Sequence, residues 1–367
     1  MGQAESRDKD KTLFTGVSEP KTSIRTATVP PGIETIGPET FRLCKHLTSI
    51  ELPDTLKRIE RAAFCGCTSL KSIKLPPRIT HVGDNAFQSC IGLTSLAMPN
   101  TLEYIGKSAF QCCSGLTSIA LPKGTTCVRP QTFQLCGSLT SVTLPETLTD
   151  IGSHAFSGCS GLTSITLPNA VINIANEAFA MCGFTSLTLP NSLTCIGHYA
   201  FQRCRVLSTV NLPDSLTNIG NSAFAYCNYD PDDEGDPYTK GLKRSYKNNK
   251  GLALTLSKNS TLCHISHNAF YKTFVQKIIL RTPKSRAAFI AWSVGHSHHR
   301  SNWQLTTLKH VRNVLRLITI FALENAREFE HPFQFSKPKF EWGPDITDRR
   351  VLLLLMVRAT SGSRSLN

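Results

Sequence analysis

Long apolar runs are missing from this sequence. None approaches the ~18–20 residues that a membrane-spanning helix requires. The most apolar run, VLLLLMV at 351–357, sits between Arg349-Arg350 and Arg358 and reads as a buried strand or helical turn. The opening MGQAESRDKDKTLFTG has no hydrophobic core, so a conventional secretory leader is not expected there. Acidic residues are outnumbered, 26 against 40 Lys and Arg. No Ser/His/Asp order, phosphate-cradling glycine loop or paired carboxylates stand out. No catalytic, cofactor-binding or metal-ligating residue is therefore assigned, and an enzyme is not expected.

The formal charge of +14 is unevenly placed, because residues 230–367 hold 22 basic and 11 acidic side chains. The body before them is close to neutral, which argues against nucleic acid as its partner; only the tail carries such a field. The 14 cysteines, with no leader, point to a reducing compartment and free thiols. The cytoplasm is the expected location.

What the chain has in abundance is repetition. LTSIELPDTLKRIERAAFCGC at 47–67 returns as LTSLAMPNTLEYIGKSAFQCC at 93 and as LTSVTLPETLTDIGSHAFSGC at 139. Units begin at Leu47, Leu70, Leu93, Leu116, Leu139, Leu162, Phe184 and Leu207, a step of 23 residues with one of 22 into Phe184. A partial copy precedes them at Ile33–Cys44, and a degraded one follows an insertion at Leu262–Phe270.

Within a unit, Ile50 and Leu52 alternate with Ser49 and Glu51, which predicts a short half-buried strand. Pro53 ends it, having no N–H to donate. Leu56, Ile59, Ala63, Phe64 and Cys67 mark a second inward-facing path. Glycines after the isoleucine (Gly83, Gly106, Gly152, Gly197, Gly220) predict a bend that a Cβ would close. One unit cannot bury these side chains, whereas stacked units can. The recurring phenylalanines, Phe41 through Phe224 and Phe270, should form one aromatic spine. The cysteines Cys44, Cys67, Cys90, Cys113, Cys136, Cys159, Cys182, Cys204 and Cys227 recur once per unit. Disulfides would consume them in pairs, and nine is odd. Metal would want two ligands in one loop. A column of small buried side chains is the expectation.

The pattern LPxxLxxIGxxAFxxC at this step resembles the BspA-like, or Treponema-type, leucine-rich repeat, over about residues 27–280. The resemblance implies a leucine-rich repeat solenoid, β-rich, curved and right-handed, with a parallel sheet on one face. It brings no catalytic residues. Some members are surface adhesins, and a cell-surface adhesin exported by an unconventional route is the alternative to the leading expectation, a non-enzymatic protein-interaction scaffold.

Around the 27–280 solenoid, residues 1–26 read as a flexible segment, 228–250 as a loop insertion and 281–367 as a basic, helical C-terminal cap. That last segment could instead touch membrane or nucleic acid. MGQAES fits the pattern for myristoylation of Gly2; with the basic tail it would give a weak peripheral membrane contact. The strand face exposes a strip of small hydroxyls, a poor anchor for a partner. The row before each isoleucine varies more: Lys57-Arg58, His81 and Tyr104 gather there on successive units, and they are the candidate partner-binding residues.

Overall fold

A unit of this length has an apolar rim on each side and no interior of its own, so its structure is decided by what it lies against. The computed structural model describes residues 12–16, 23–228, 252–256, 262, 264–266, 269–270, 273 and 275–279. All of them fall in the first of the chain's two units, Met1–His299. They form a parallel β-solenoid, one coil per sequence repeat. Gly2, the insertion after Asn228 up to residue 251 and the basic helical tail lie outside the described residues.

Each coil has three walls that join it to the neighbouring coils, the first of them in separate pairs and runs of strands rather than one unbroken ladder. The predicted strand is the first. Ser118–Ala120 pairs in parallel with Ser141–Thr143, and Ser186–Thr188 with Thr209–Leu212, Leu252–Leu256 and then Val275–Ile279. The alternation holds: Ser118 and Ala120 are exposed around buried Ile119. The hydroxyls of Thr48, Thr94, Thr117 and Thr140 donate to the carbonyl 23 residues back, stitching coil to coil.

A second parallel ladder adds to this sheet. It is built from two-residue strands around the repeated isoleucine: Thr35–Ile36, Arg58–Ile59, His81–Val82 and Tyr104–Ile105 in register, then Cys127–Val128 through His264–Ile265. Its first strand, Leu13–Phe14, pairs with Thr35–Ile36, and Phe14 is fully buried on Phe41. The solenoid therefore begins before residue 27, and at least this part of the segment expected to be flexible is built into the stack. Phe14 registers with Ile36, but the sequence around it carries Asp8, Lys11 and Thr22 where the repeat has its proline, leucine and cysteine, so the repeat pattern does not extend to it.

The third wall carries the Ala-Phe-x-x-Cys stretch. Two residues per coil, such as Asn85 and Ser89 or Ser108 and Cys112, hold φ near 55–59°. This alternation of hand turns every other N–H towards the next coil: Phe64 N–H donates to Ala86 O at 2.8 Å, and Phe87 to Ala109 at 2.8 Å. In the second ladder the direction is opposite, Gly83 N–H donating to Ile59 O at 2.8 Å. The left-handed positions are occupied mostly by residues with side chains. The repeated glycines lie elsewhere and have no positive φ. They serve close approach rather than a bend: a Cβ on Gly106 would sit 2.4 Å from Asp84 N, and one on Gly152 2.7 Å from Val128 O.

The three walls enclose the spine. Successive rings from Phe41 to Phe224 and on to Phe270 stack at 5.1–5.6 Å between centroids, within 3–12° of parallel. The centroid spacing is an offset stack, the favoured arrangement for rings with negative faces and positive edges. The single 22-residue step drops one residue between Cys182 and the next coil's leucine position. There Phe184 stands in for leucine and meets Phe179 edge-on at 5.6 Å.

The cysteine column is buried as expected, and it does more than fill space. Cys67, Cys90 and Cys113 Sγ each donate to the carbonyl of the phenylalanine 26 residues back, all at 3.1 Å, and Cys136 through Cys227 repeat the contact at 3.1–3.3 Å. Burial pushes the Cys159 thiol up to about 12. Thiols held neutral in this way should resist alkylation at neutral pH in the folded protein. Among the described cysteines, exposed Cys127 should be modified first, and mass mapping of iodoacetamide adducts over time checks the order.

Removing one ring from mid-spine should cost about 3–5 kcal/mol. Phe133→Ala is expected to show this in denaturant unfolding, and amide exchange should rise first in the coils on either side. Even loss of protection along the whole stack would show that coils do not act as nearest neighbours.

Candidate functional site

The second ladder presents one outward residue per coil, directly before the isoleucine. Because the ladder is parallel and in register, these residues stand in a column one strand spacing apart, about 4.8 Å. Most are small: Asn173, Cys195 and Asn218. Large side chains come together in one place. Arg58 registers with His81 and His81 with Tyr104. The His81 and Tyr104 rings stack at 4.4 Å and 5°.

The next coil adds a residue that sequence reasoning did not select. The Arg129 guanidinium lies over the free face of Tyr104, 4.3 Å from its centroid. Arg129 occupies the repeat's glycine position, one place beyond Val128, so it was not in the row read from sequence. Its signal was there as a departure from the glycine pattern. His81, Tyr104 and Arg129 thus form a continuous stack, imidazole, phenol and guanidinium, with Arg58 in register on the coil before His81.

Polar groups fix the stack from its flanks. Arg58 Nε pairs with Glu60 at 2.8 Å, and Tyr104 OH donates to Asp84 Oδ1 at 3.5 Å. That same Asp84 oxygen accepts the Lys107 N–H at 2.8 Å. Lys57 is beside the column rather than in it: its ammonium pairs with Glu34 one coil back, at 2.9 Å. Of the four residues chosen from sequence, the structure stacks His81 on Tyr104, sets Arg58 in the same column one coil back and places Lys57 at its edge.

The second ladder is interrupted at this site. It consists of a five-stranded sheet ending at Tyr104–Ile105 and a six-stranded sheet beginning at Cys127–Val128. At the preceding junction Glu103, Tyr104 and Gly106 N–H donate at 3.0, 3.0 and 2.8 Å to Thr80 and Val82. At the following one Thr149, Asp150 and Gly152 donate at 2.8, 3.2 and 2.8 Å to Thr126 and Val128. The equivalent N–H groups of Thr126, Cys127 and Arg129 have no such bond among the described residues. A side chain in the glycine position does not suffice to cause this, since Glu60 and Ala175 keep their bonds at 3.0 and 2.9 Å. What distinguishes Arg129 is Pro130, whose ring restricts the preceding residue's backbone. The other walls remain joined here, Thr117 N–H to Thr94 O at 3.1 Å and Phe110 N–H to Thr132 O at 2.9 Å.

Elsewhere on the same wall, Asn173, Cys195, His198 and Asn218 line a shallow depression of about 390 Å³. Its histidine is already engaged, Nδ1 accepting the Asn221 N–H at 2.8 Å. Among the described residues no group of three or more His, Cys, Asp or Glu is placed to hold a metal.

Architecture and surface together define a class: a parallel β-solenoid of repeated coils, its variable side chains set in columns on a fixed frame. The family described as "BspA type Leucine rich repeat region" matches residues 20–137 and 126–231, in six copies. The chain belongs to that family. Among solved structures, a leucine-rich repeat protein from Bacteroides ovatus is 22% identical, with a TM-score of 0.53, over 76% of this chain and 75% of that one. The T. pallidum leucine-rich repeat protein is 34% identical, with a TM-score of 0.38, over 38% of this chain and 66% of that one. No curated protein matches the chain in sequence.

Burial lowers the His81 imidazole below its ordinary value of 6.5; Arg58 lowers it further, Glu60 and Asp84 oppose this, and Arg129 adds a smaller downward push. The unfolded chain therefore takes up this proton before the folded one. The contribution of His81 to stability is complete above about 6.5 and is lost as pH falls from there through the lower folded value. An NMR titration of the imidazole should find its midpoint below 6.5, and Arg58→Ala should move it up. A midpoint at or above 6.5 would contradict the packing described.

Proposed function

We propose that the protein is a non-enzymatic scaffold that holds a protein partner against the column Arg58, His81, Tyr104 and Arg129. The observation that carries this reading is the stack itself. Tyr and Arg dominate the residues on which protein interfaces depend, and here they are held in place before any partner arrives. Side chains already immobilised by their neighbours lose less entropy on binding. The rest of the exposed strand surface offers mainly Ser, Thr and Ala, which give a partner little to grip.

The test is capture of cellular proteins by the purified chain, compared with a triple variant, Arg58→Ala, His81→Ala and Tyr104→Ala. A matched variant on the same wall, Asn173→Ala with Asn218→Ala, is the control. Circular dichroism and melting should confirm that both keep the fold. The expected outcome is loss of specific partners from the first variant only. Identical capture by all three proteins would remove this surface from consideration.

A further inference from the structure

Of the side chains in the column, His81 is the one that changes its charge near neutral pH. Its ring is held differently from two other histidines of the frame. His198 Nδ1 accepts the Asn221 N–H, and His154 Nδ1 lies 3.4 Å from Glu177. The His81 imidazole makes no hydrogen bond or ion pair among the described residues, and its place rests on the Tyr104 face, 4.4 Å away. Charges surround it on four coils. On the coil before, Arg58 is in register with it, and Glu60 pairs with Arg58 at 2.8 Å. On its own coil, Asp84 Oδ1 accepts the Lys107 N–H at 2.8 Å and the Tyr104 hydroxyl at 3.5 Å. Beyond Tyr104, the Arg129 guanidinium lies over that ring at 4.3 Å. Both carboxylates that act on the imidazole are therefore already engaged.

We propose that His81 is a proton-operated latch on this surface: its neutral ring completes the stack near neutral pH, and in acid the imidazolium leaves Tyr104, opens the stack and lets the partner go. The release rests on the column being the partner's surface; the latch itself does not. A neutral imidazole is a flat, uncharged ring that packs on a phenol. An imidazolium in the same place stands one strand spacing, about 4.8 Å, from the Arg58 position. A cation on a ring face is attracted by its electron density. Here Arg129 already takes that attraction, and a second cation adds repulsion from both ends of the column. Burial resists the charge, and Arg58 and then Arg129 add to the resistance. Such coupling is reciprocal, so the cations that keep the proton off His81 are themselves loosened when it binds. The imidazolium also needs acceptors for two N–H groups. Glu60 and Asp84 are the carboxylates at hand, and drawing on them pulls at Arg58 or at the Tyr104 hydroxyl. Water supplies acceptors outside the half-buried site. Each route undoes a contact of the stack. The coils stay joined meanwhile, because His81 is tied to Lys57 through its backbone N–H and not through its ring.

The experiment follows the intact chain by NMR from about pH 7.5 to about pH 5, above the ordinary carboxylate range. The nuclear Overhauser contact between the His81 and Tyr104 rings, assigned by the loss of its tyrosine signal in Tyr104→Phe, should be strong at the upper end and fade as the imidazole titrates. Capture of the partners that the triple variant loses should fall about fivefold or more over the same range, the lower end of coupling between linked sites. His81→Phe keeps a flat ring that carries no proton, so its capture should be equal at both ends. His154→Gln, which removes the histidine beside Glu177 on another wall, should leave the response of the unaltered chain in place. A ring contact that persists while the imidazole takes up its proton would overturn the latch, as would an imidazole that stays neutral throughout. So would an equal loss of capture in acid by His81→Phe, which would assign the effect to other groups. The ring contact needs no partner, so it decides the latch even where His81→Phe captures nothing. Should the contact fade while capture holds, the latch stands and the column is not the partner's surface.

Discussion

The contact on which everything else depends is one coil's apolar face against the next. A single coil carries a phenylalanine, an alanine, an isoleucine, two or three leucines and a cysteine, all facing the same narrow interior. Each ring is covered by the ring above and the ring below, and each wall lends its hydrogen bonds to its neighbours. The 23-residue step follows from this. Registers such as Ile36, Ile59, Val82 and Ile105 survive only if every coil has the same contour length on each wall. A coil one residue short has to recover the deficit locally, as Phe184 does beside Gly183. Repetition in the sequence is the record of a geometric condition, and it carries no information about chemistry.

The same condition explains which groups are spent on structure. The phenylalanine carbonyl accepts both the N–H three residues on in its own coil and the thiol of the following coil, as Phe64 does from Cys67 N–H at 3.2 Å and Cys90 Sγ at 3.1 Å. A carbonyl has two lone pairs, and a buried one is costly to leave short. Cysteine fits because its thiol is small, weakly polar and content in apolar surroundings. Serine would donate a stronger bond but is shorter and more costly to dehydrate. The column thus consumes thiols that elsewhere would suggest redox or metal chemistry. Burial raises their pKa and further removes them from such roles.

Much of this was legible in the sequence, and the failures have a common cause. The period located the strand, the spine and the cysteine column, because each of these is a property of one unit repeated. The second ladder and the reversed third wall were not legible, since both arise from pairing between coils and leave little trace in the hydrophobic pattern of one. Reading the glycines as bend residues went astray for the same reason: what excludes a Cβ at Gly106 is the backbone of the coil before it, 83–84, not the torsion at 106. Leu13–Phe14 escaped because the sequence around it lacks the repeat's leucine, proline and cysteine. At the candidate site, Arg58, His81 and Tyr104 were legible as a column from their common offset. Arg129 sits one residue out of that column, and only the register of the coils shows that its guanidinium folds back onto Tyr104.

In a structure built from near-identical turns, departures from the pattern are where something other than stacking has been accommodated. Most substitutions here, such as Asn173 for Tyr104 or Ala175 for glycine, leave the ladder bonds in place. Arg129-Pro130 does not. It removes hydrogen bonds that the adjoining junctions make, and it does so beside the densest group of aromatic and cationic side chains on that wall. Stability alone would favour glycine and a residue with an N–H at those two positions, as at Gly106 and Lys107. The frame tolerates the loss because three walls share the work of joining coils, so one corner can open without the spine losing its register. That redundancy lets a repeat fold carry a local defect without losing the register of its spine.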